Sequence, residues 1–211
     1  MKPHRLLARN LSARSRAQKV EWLRARIEPG ASVLLVGASG YEAGGVDTNN
    51  AVERGVAAFT KAHALVYQGV DPRIGCPWSA GDGCALPFAD ASFDYVVSNA
   101  VIEHVGGPGR AELMLAESRR VARLGAFHTT PDRWFPIEVH TQVPLLHWLP
   151  RSRQAAAFAQ AGKSFWNTEH YWLFGRRDFS ALDPNFSVRR INPMTLIAEW
   201  SPVTALQGPA S

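Results

Sequence analysis

Two hundred and eleven residues, 46% of them hydrophobic and 10% aromatic, suffice for one sizeable core and exclude disorder or a low-complexity scaffold. Charged residues make up only 19%, yet the longest apolar runs, such as Val143 to Leu149, fall far short of the roughly 20 residues that cross a bilayer. The net charge of +5 has a local origin: six of the 23 basic residues (Lys2, Arg5, Arg9, Arg14, Arg16 and Lys19) lie in 1–20 without an acid, leaving 17 against all 18 acids.

That distribution disfavours nucleic-acid binding by the folded body and makes the start of the chain a solvated basic arm leading into a helix. The arm has an Arg- and Ser-bearing, transit-like composition but no apolar core of a secretory signal. The two cysteines, Cys76 and Cys84, match no zinc spacing and no framework of bridges, so a reducing cytoplasm is the expected location.

In chain order, Ser12 is placed to cap a helix whose apolar positions Val20, Leu23 and Ile27 recur at three and four, and Pro29-Gly30 stops it. Val33 to Val36 is a continuous apolar run ending in Gly37-Ala38-Ser39-Gly40, the pattern of a strand buried on both faces that turns sharply at its end. Residues 51–63 read as helix and 64–70 as a second strand finishing at Asp71-Pro72. A third strand spans 94–98. Residues 110–124 read as a helix with Leu113, Glu117, Val121 and Leu124 on one side and Gly125 as its terminator. Residues 126–130 return as a strand, stopped by Pro131.

From Pro131 the periodicity breaks, and Trp134, Trp148, Trp166 and Trp172 fall in a stretch read as a lid or cap over about 131–180. A final pair of strands, 186–191 and 194–200, is separated by Asn192-Pro193 and suits an antiparallel hairpin. The expected architecture is a doubly wound, Rossmann-like, mostly parallel α/β sheet with helices on both faces, an antiparallel C-terminal edge hairpin and an aromatic-rich lid insertion. The expected division is a basic arm and helix over 1–28, the α/β domain over 29–205 and a tail over 206–211. Ligands of such sheets bind beyond the carboxyl ends of the strands, which directs attention to Gly37 to Tyr41, Asp71, Ser98 to Glu103 and Thr129 to Asp132.

The run from Gly81-Asp82-Gly83-Cys84 through Leu86-Pro87-Phe88 and Ser92-Phe93-Asp94 to Asn99-Ala100-Val101-Ile102-Glu103-His104-Val105 resembles the class I S-adenosylmethionine-dependent methyltransferases, of the type 11-like small-molecule kind. The resemblance implies S-adenosyl-L-methionine as cofactor, a small-molecule substrate and methyl transfer by in-line displacement. It places Gly37, Ala38, Ser39 and Gly40 beneath the methionine part, Asp71 on the ribose hydroxyls, Asp82 and Gly83 at the adenine, and Asn99 beside the transferable methyl. His104 is the candidate general base, with a structural role beside Glu103 as the alternative reading.

The chain departs from that pattern where Leu35 stands for the usual acid, Ser39 for the middle glycine and Tyr41 for the last. An alternative is therefore a catalytically inactive methyltransferase-fold protein serving as a binding or regulatory partner, with residues 41–50 filling the cofactor's place. A nicotinamide-binding reading fails because residues 37–42, Gly-Ala-Ser-Gly-Tyr-Glu, miss the third and sixth positions of the dinucleotide fingerprint. The residues after the third strand, Ser98-Asn99-Ala100-Val101, disfavour methylation of nucleic-acid bases. His128, His140, His147 and His170 fit no metal spacing, and the aromatic stretch after Pro131 suits a hydrophobic or planar acceptor or peripheral contact with a membrane surface.

Overall fold

The computed structural model describes residues 3–39, 50–67, 69–136, 145–162 and 171–202. Seven strands form one sheet in the order β3-β2-β1-β4-β5-β7-β6. The strands are β1 Ser32–Val36, β2 Lys61–Val66, β3 Trp78–Ala80, β4 Phe93–Asn99, β5 Ala122–Pro131, β6 Ser187–Asn192 and β7 Thr195–Trp200. The first five run parallel, and β7 enters antiparallel between β5 and β6, with Thr129 opposite Ile197. No helix among the described residues is long and apolar enough to cross a membrane.

The continuous apolar strands follow from cover on both faces. On one face Leu34, Val36, Leu65, Val96 and Leu196 pack with Ala111, Met114, Leu115 and Val121 of α3 (Pro108–Val121) and Phe179 of α5 (Arg176–Leu182). On the other, Val33, Leu35, Val66, Val97, Phe127 and Ile197 meet Leu23 of α1 (Pro3–Arg24) and Val52 and Val56 of α2 (Ala51–Ala57). Each inward-facing Val, Leu or Ile contributes about 1.5–3 kcal/mol on burial.

The doubly wound sheet and the terminal hairpin stand as the sequence predicts; several boundaries differ. Helix α1 begins before Ser12, whose hydroxyl accepts from Arg16 one turn on instead of capping. Helix α2 stops at Ala57 and β2 starts at Lys61, three residues earlier than expected, because pairing of Lys61 with Ser32 overrides the weak strand preference of Lys-Ala-His. β3 is an unforeseen short strand.

α3 ends at Val121, so Gly125 lies within β5 instead of terminating the helix. The pairing of Phe93 with Ala122 and of Tyr95 with Gly125 leaves one extra residue on β5, a bulge that turns Arg123 and Leu124 outward. The buried stripe of α3 is Ala111, Met114, Leu115, Ser118 and Val121, whereas Leu113 is exposed. After β5, the irregular stretch contains α4 (Arg151–Gln160), a helix the sequence reading passed over.

Candidate active site

Three strand-end loops meet around the bend that follows β1. Gly37 has φ +79°, a left-handed conformation that favours glycine, and a Cβ there would sit 2.6 Å from the methyls of Val101 in the loop after β4. A Cβ on Gly83 would sit 2.8 Å from Cγ1 of Val36, so the Asp82-Gly83 turn after β3 lies directly on the end of β1. The side chain of Asn50, at the entry to α2, accepts from the Ser39 amide at 2.9 Å and donates to the Ser39 carbonyl at 2.8 Å and the Pro72 carbonyl at 3.1 Å. Ala38 is buried and Ser39 exposed; Gly40 and the expected extra loop over 41–49 lie outside the described residues.

Of the two aspartates, Asp82 sits two residues beyond β3. Its Oδ1 accepts from the Cys84 amide at 2.9 Å and its Oδ2 from Arg110 at 2.5 Å. Burial works against its charge, but the Cys84 amide and the Arg110 guanidinium outweigh burial and hold it below the usual carboxylate range. Asp71 does not finish a strand: β2 ends at Val66, and Asp71 lies five residues on, exposed, its Oδ1 accepting from the Arg73 amide at 2.8 Å. Its neighbour Pro72 is what Asn50 ties to the bend.

Asn99, the last residue of β4, is the hub of a polar cluster that composition alone did not reveal. Its Oδ1 accepts from Lys19 of α1 at 2.8 Å and from Thr129 at 3.0 Å, and its Nδ2 donates to Glu53 of α2 at 3.2 Å. Glu103 is fully buried in the short 3-10 turn Ile102–His104, where its Oε2 accepts from Thr130 at 3.0 Å. The buried Glu53 Oε2 and Glu103 Oε1 have no hydrogen-bond partner among the described residues. Burial pushes the Lys19 ammonium down to about 8 against the opposing pull of Glu103 and Glu53, and burial likewise raises Glu53. A lysine at helical spacing from Leu23 on an otherwise solvated arm gives no hint of this in the sequence; only the crossing of α1 beside the strand ends does.

His104 is half-buried, its ring 5.1 Å from that of Tyr171, and the Trp172 amide donates to the Glu103 carbonyl at 2.7 Å, docking the segment after β5 against this turn. Within that segment Trp148 Nε1 donates to the Arg133 carbonyl at 2.9 Å, and Arg151 lies 3.5 Å over the Trp172 ring. Trp134, Leu145, Trp148 and Leu149 remain exposed. Of the histidines singled out, His128 is core beneath Phe186 and His147 bonds the Phe135 carbonyl, while His140 and His170 lie outside the described residues, as does Trp166. Among the described residues no group of three His, Cys, Asp or Glu is gathered for a metal.

Residues 29–129, from the turn before β1 to the end of the β4–β5 pairing, match the family model of the methyltransferase domain. An uncharacterised methyltransferase from Mycobacterium avium is 36% identical over 119 residues, 49% of this chain and 45% of that one. The chain thus spans under half the length of the curated relative it matches. Among solved structures, magnesium protoporphyrin IX methyltransferase from Synechocystis, with bound SAH, superposes with TM-score 0.55 at 15% identity, over 94% of this chain and 87% of that one.

A Rhodobacter sphaeroides protein provisionally described as a zinc-dependent alcohol dehydrogenase superposes with TM-score 0.60 at 12% identity, over 88% and 89% of the two chains. At such identities the likeness is one of fold. Residues 29–129, just under half of the chain, thus resemble a methyltransferase domain, and the fold is one that solved S-adenosylmethionine-dependent methyltransferases share.

Proposed function

We propose that this chain binds S-adenosylmethionine in the crevice between β1 and β4 and transfers its methyl group to a small acceptor of hydrophobic or aromatic character. The observation that carries the reading is the meeting of the Gly37–Ser39 bend with the Asp82-Gly83 turn, the Val101 loop and, through Asn50, the loop of Asp71. β1 and β4 are neighbours whose following helices lie on opposite faces of the sheet, so this meeting point is the topological switch of the fold.

In this reading the bend, with Gly40, runs beneath the methionine part, Asp71 serves the ribose, Asp82 and Gly83 the adenine, and Asn99 borders the methyl. Asp82 keeps acceptor capacity although both oxygens are engaged, because each carboxylate oxygen offers two lone-pair directions. The donor set suits an adenosine with a charged amino-acid tail: carboxylates for hydroxyl and amino donors, and a close-packed glycine where a ligand passes near backbone. The cofactor supplies an activated methyl; the residues hold nucleophile, methyl and sulfur in line, which contributes on the order of 7–11 kcal/mol without a covalent intermediate. His104, half-buried at the turn after β4, is the proton acceptor for an acceptor that must lose one.

The exposed Trp134, Leu145, Trp148 and Leu149 beside the docked Tyr171-Trp172 segment support an apolar acceptor. Calorimetric titration with S-adenosylmethionine tests the reading. Saturable binding that weakens about tenfold or more in Asp82→Ala is expected, from loss of a charge-assisted hydrogen bond; absence of heat with the unaltered protein contradicts it.

A further inference from the structure

Buried charge is costly unless it is paired, and single atoms of native sites left without partners call for an explanation. Around Asn99 the chain buries one ammonium and two carboxylates, each drawn from a different element: Lys19 from α1, Glu53 from α2, Glu103 from the turn after β4. Lys19 has three N–H donors and gives one to Asn99 among the described residues. Glu53 Oε2 and Glu103 Oε1 are buried acceptors to which no described residue donates. The set is thus short of hydrogen-bond donors facing its carboxylates, and its ammonium keeps N–H donors for an acceptor beyond Asn99.

A zwitterion supplies both. We infer that Lys19, Glu53 and Glu103 form a clamp for the amino-acid end of the cofactor, Lys19 facing its carboxylate and the two glutamates its ammonium. The inference rests on the cofactor reading above and deepens it. The placement fits: Asn50, three residues before Glu53 on the same helical entry, holds the Ser39 end of the glycine bend, and Asn99 joins Glu53 to Lys19. It also accounts for Leu35, which stands where an acid is expected: the polar grip has moved from the strand to the helices that flank it. Two further cations act on the cluster: Arg16, partly exposed and bonded to Ser12, and Arg54, next to Glu53 on α2.

The test is calorimetry with two probes, S-adenosylhomocysteine and 5′-methylthioadenosine, which keeps the nucleoside and sulfur but lacks the amino-acid end. The unaltered chain is expected to prefer S-adenosylhomocysteine by about tenfold or more, the scale of one or two charge-assisted hydrogen bonds. Lys19→Met, Glu53→Gln and Glu103→Gln are each expected to erode that preference while leaving methylthioadenosine affinity within about twofold. Equal affinity of the unaltered protein for the two probes, which requires no variant to fold, overturns the clamp alone. Variants that weaken both probes equally also overturn it, marking the cluster as scaffold. Binding of neither probe overturns the cofactor reading, and the clamp with it.

Discussion

Asn50 and Ser39 are joined by a reciprocal pair of hydrogen bonds, side-chain carbonyl to backbone amide at 2.9 Å and side-chain amide to backbone carbonyl at 2.8 Å. The same Asn50 amide nitrogen reaches the Pro72 carbonyl, so one buried side chain sets the distance between the bend after β1 and the loop after β2. Asn50→Ala removes all three bonds and is expected to cost about 1–3 kcal/mol in urea denaturation, with faster amide exchange at Ser39. Unchanged exchange at Ser39 would show that the bend holds its shape without this support.

Gly37 and Val101 make the second constraint on the bend. Gly37→Ala is expected to destabilise by about 1–3 kcal/mol, from the positive φ and from the methyls of Val101 at 2.6 Å. Val101→Ala in the same chain removes the two methyls at 2.6 Å, leaving its Cβ at 3.1 Å and the backbone strain. The double variant should therefore be more stable than the sum of the two single losses, by about 0.5–1.5 kcal/mol in a double-mutant cycle. Strict additivity would place the whole cost in the backbone.

The parts of the fold legible in the sequence are those where local pattern and tertiary environment agree. Val33 to Val36 is apolar throughout because both of its faces are covered, and Asn192-Pro193 interrupts two strands that pair across it. The register of Lys61 to Val66 was not legible, since a strand made of Lys-Ala-His-Ala draws its identity from β1 and not from its own side chains. The same limit governs the site. Glycines and strand-end polar residues announce themselves locally, as Gly37, Asp82 and Asn99 do. Lys19 and Glu53 do not, because their meeting depends on how α1 crosses α2, a relation between residues 34 positions apart that no local spacing encodes.

Arg120 fastens the segment that carries the strongest family resemblance. It donates to the carbonyls of Leu86 at 3.0 Å and Phe88 at 2.8 Å, to Asp90 at 2.7 Å and to both oxygens of Glu117, whose Oε2 in turn accepts from the Leu86 amide. Much of that motif is therefore scaffold. A lysine has no planar fork to reach these acceptors, so Arg120→Lys should cost about 1–3 kcal/mol by chemical denaturation. A loss below about 0.5 kcal/mol, the range of ordinary surface changes, would mean the segment holds itself.

His128 gives the protein an acid-side liability. Its ring is fully buried, with Nδ1 2.7 Å from Ser98 Oγ, and burial pushes it down from 6.5 to about 3. Between these values the unfolded chain binds a proton that the folded one refuses, so this contribution to stability is whole above about pH 6.5 and is lost as pH falls toward 3. Unfolding free energy should drop by about 1–2 kcal/mol from pH 7.5 to pH 5 on this account. His128→Phe should reduce that drop; an identical drop in the variant would assign it to other groups.

A crystal structure of the chain with S-adenosylhomocysteine is the most direct test of the central claim. The adenosine is expected beside the Asp82-Gly83 turn, the sulfur over the Gly37 bend, and the amino-acid end among Lys19, Glu53 and Glu103. A ligand bound elsewhere, or a crevice between β1 and β4 that stays closed at saturating nucleoside, would contradict it.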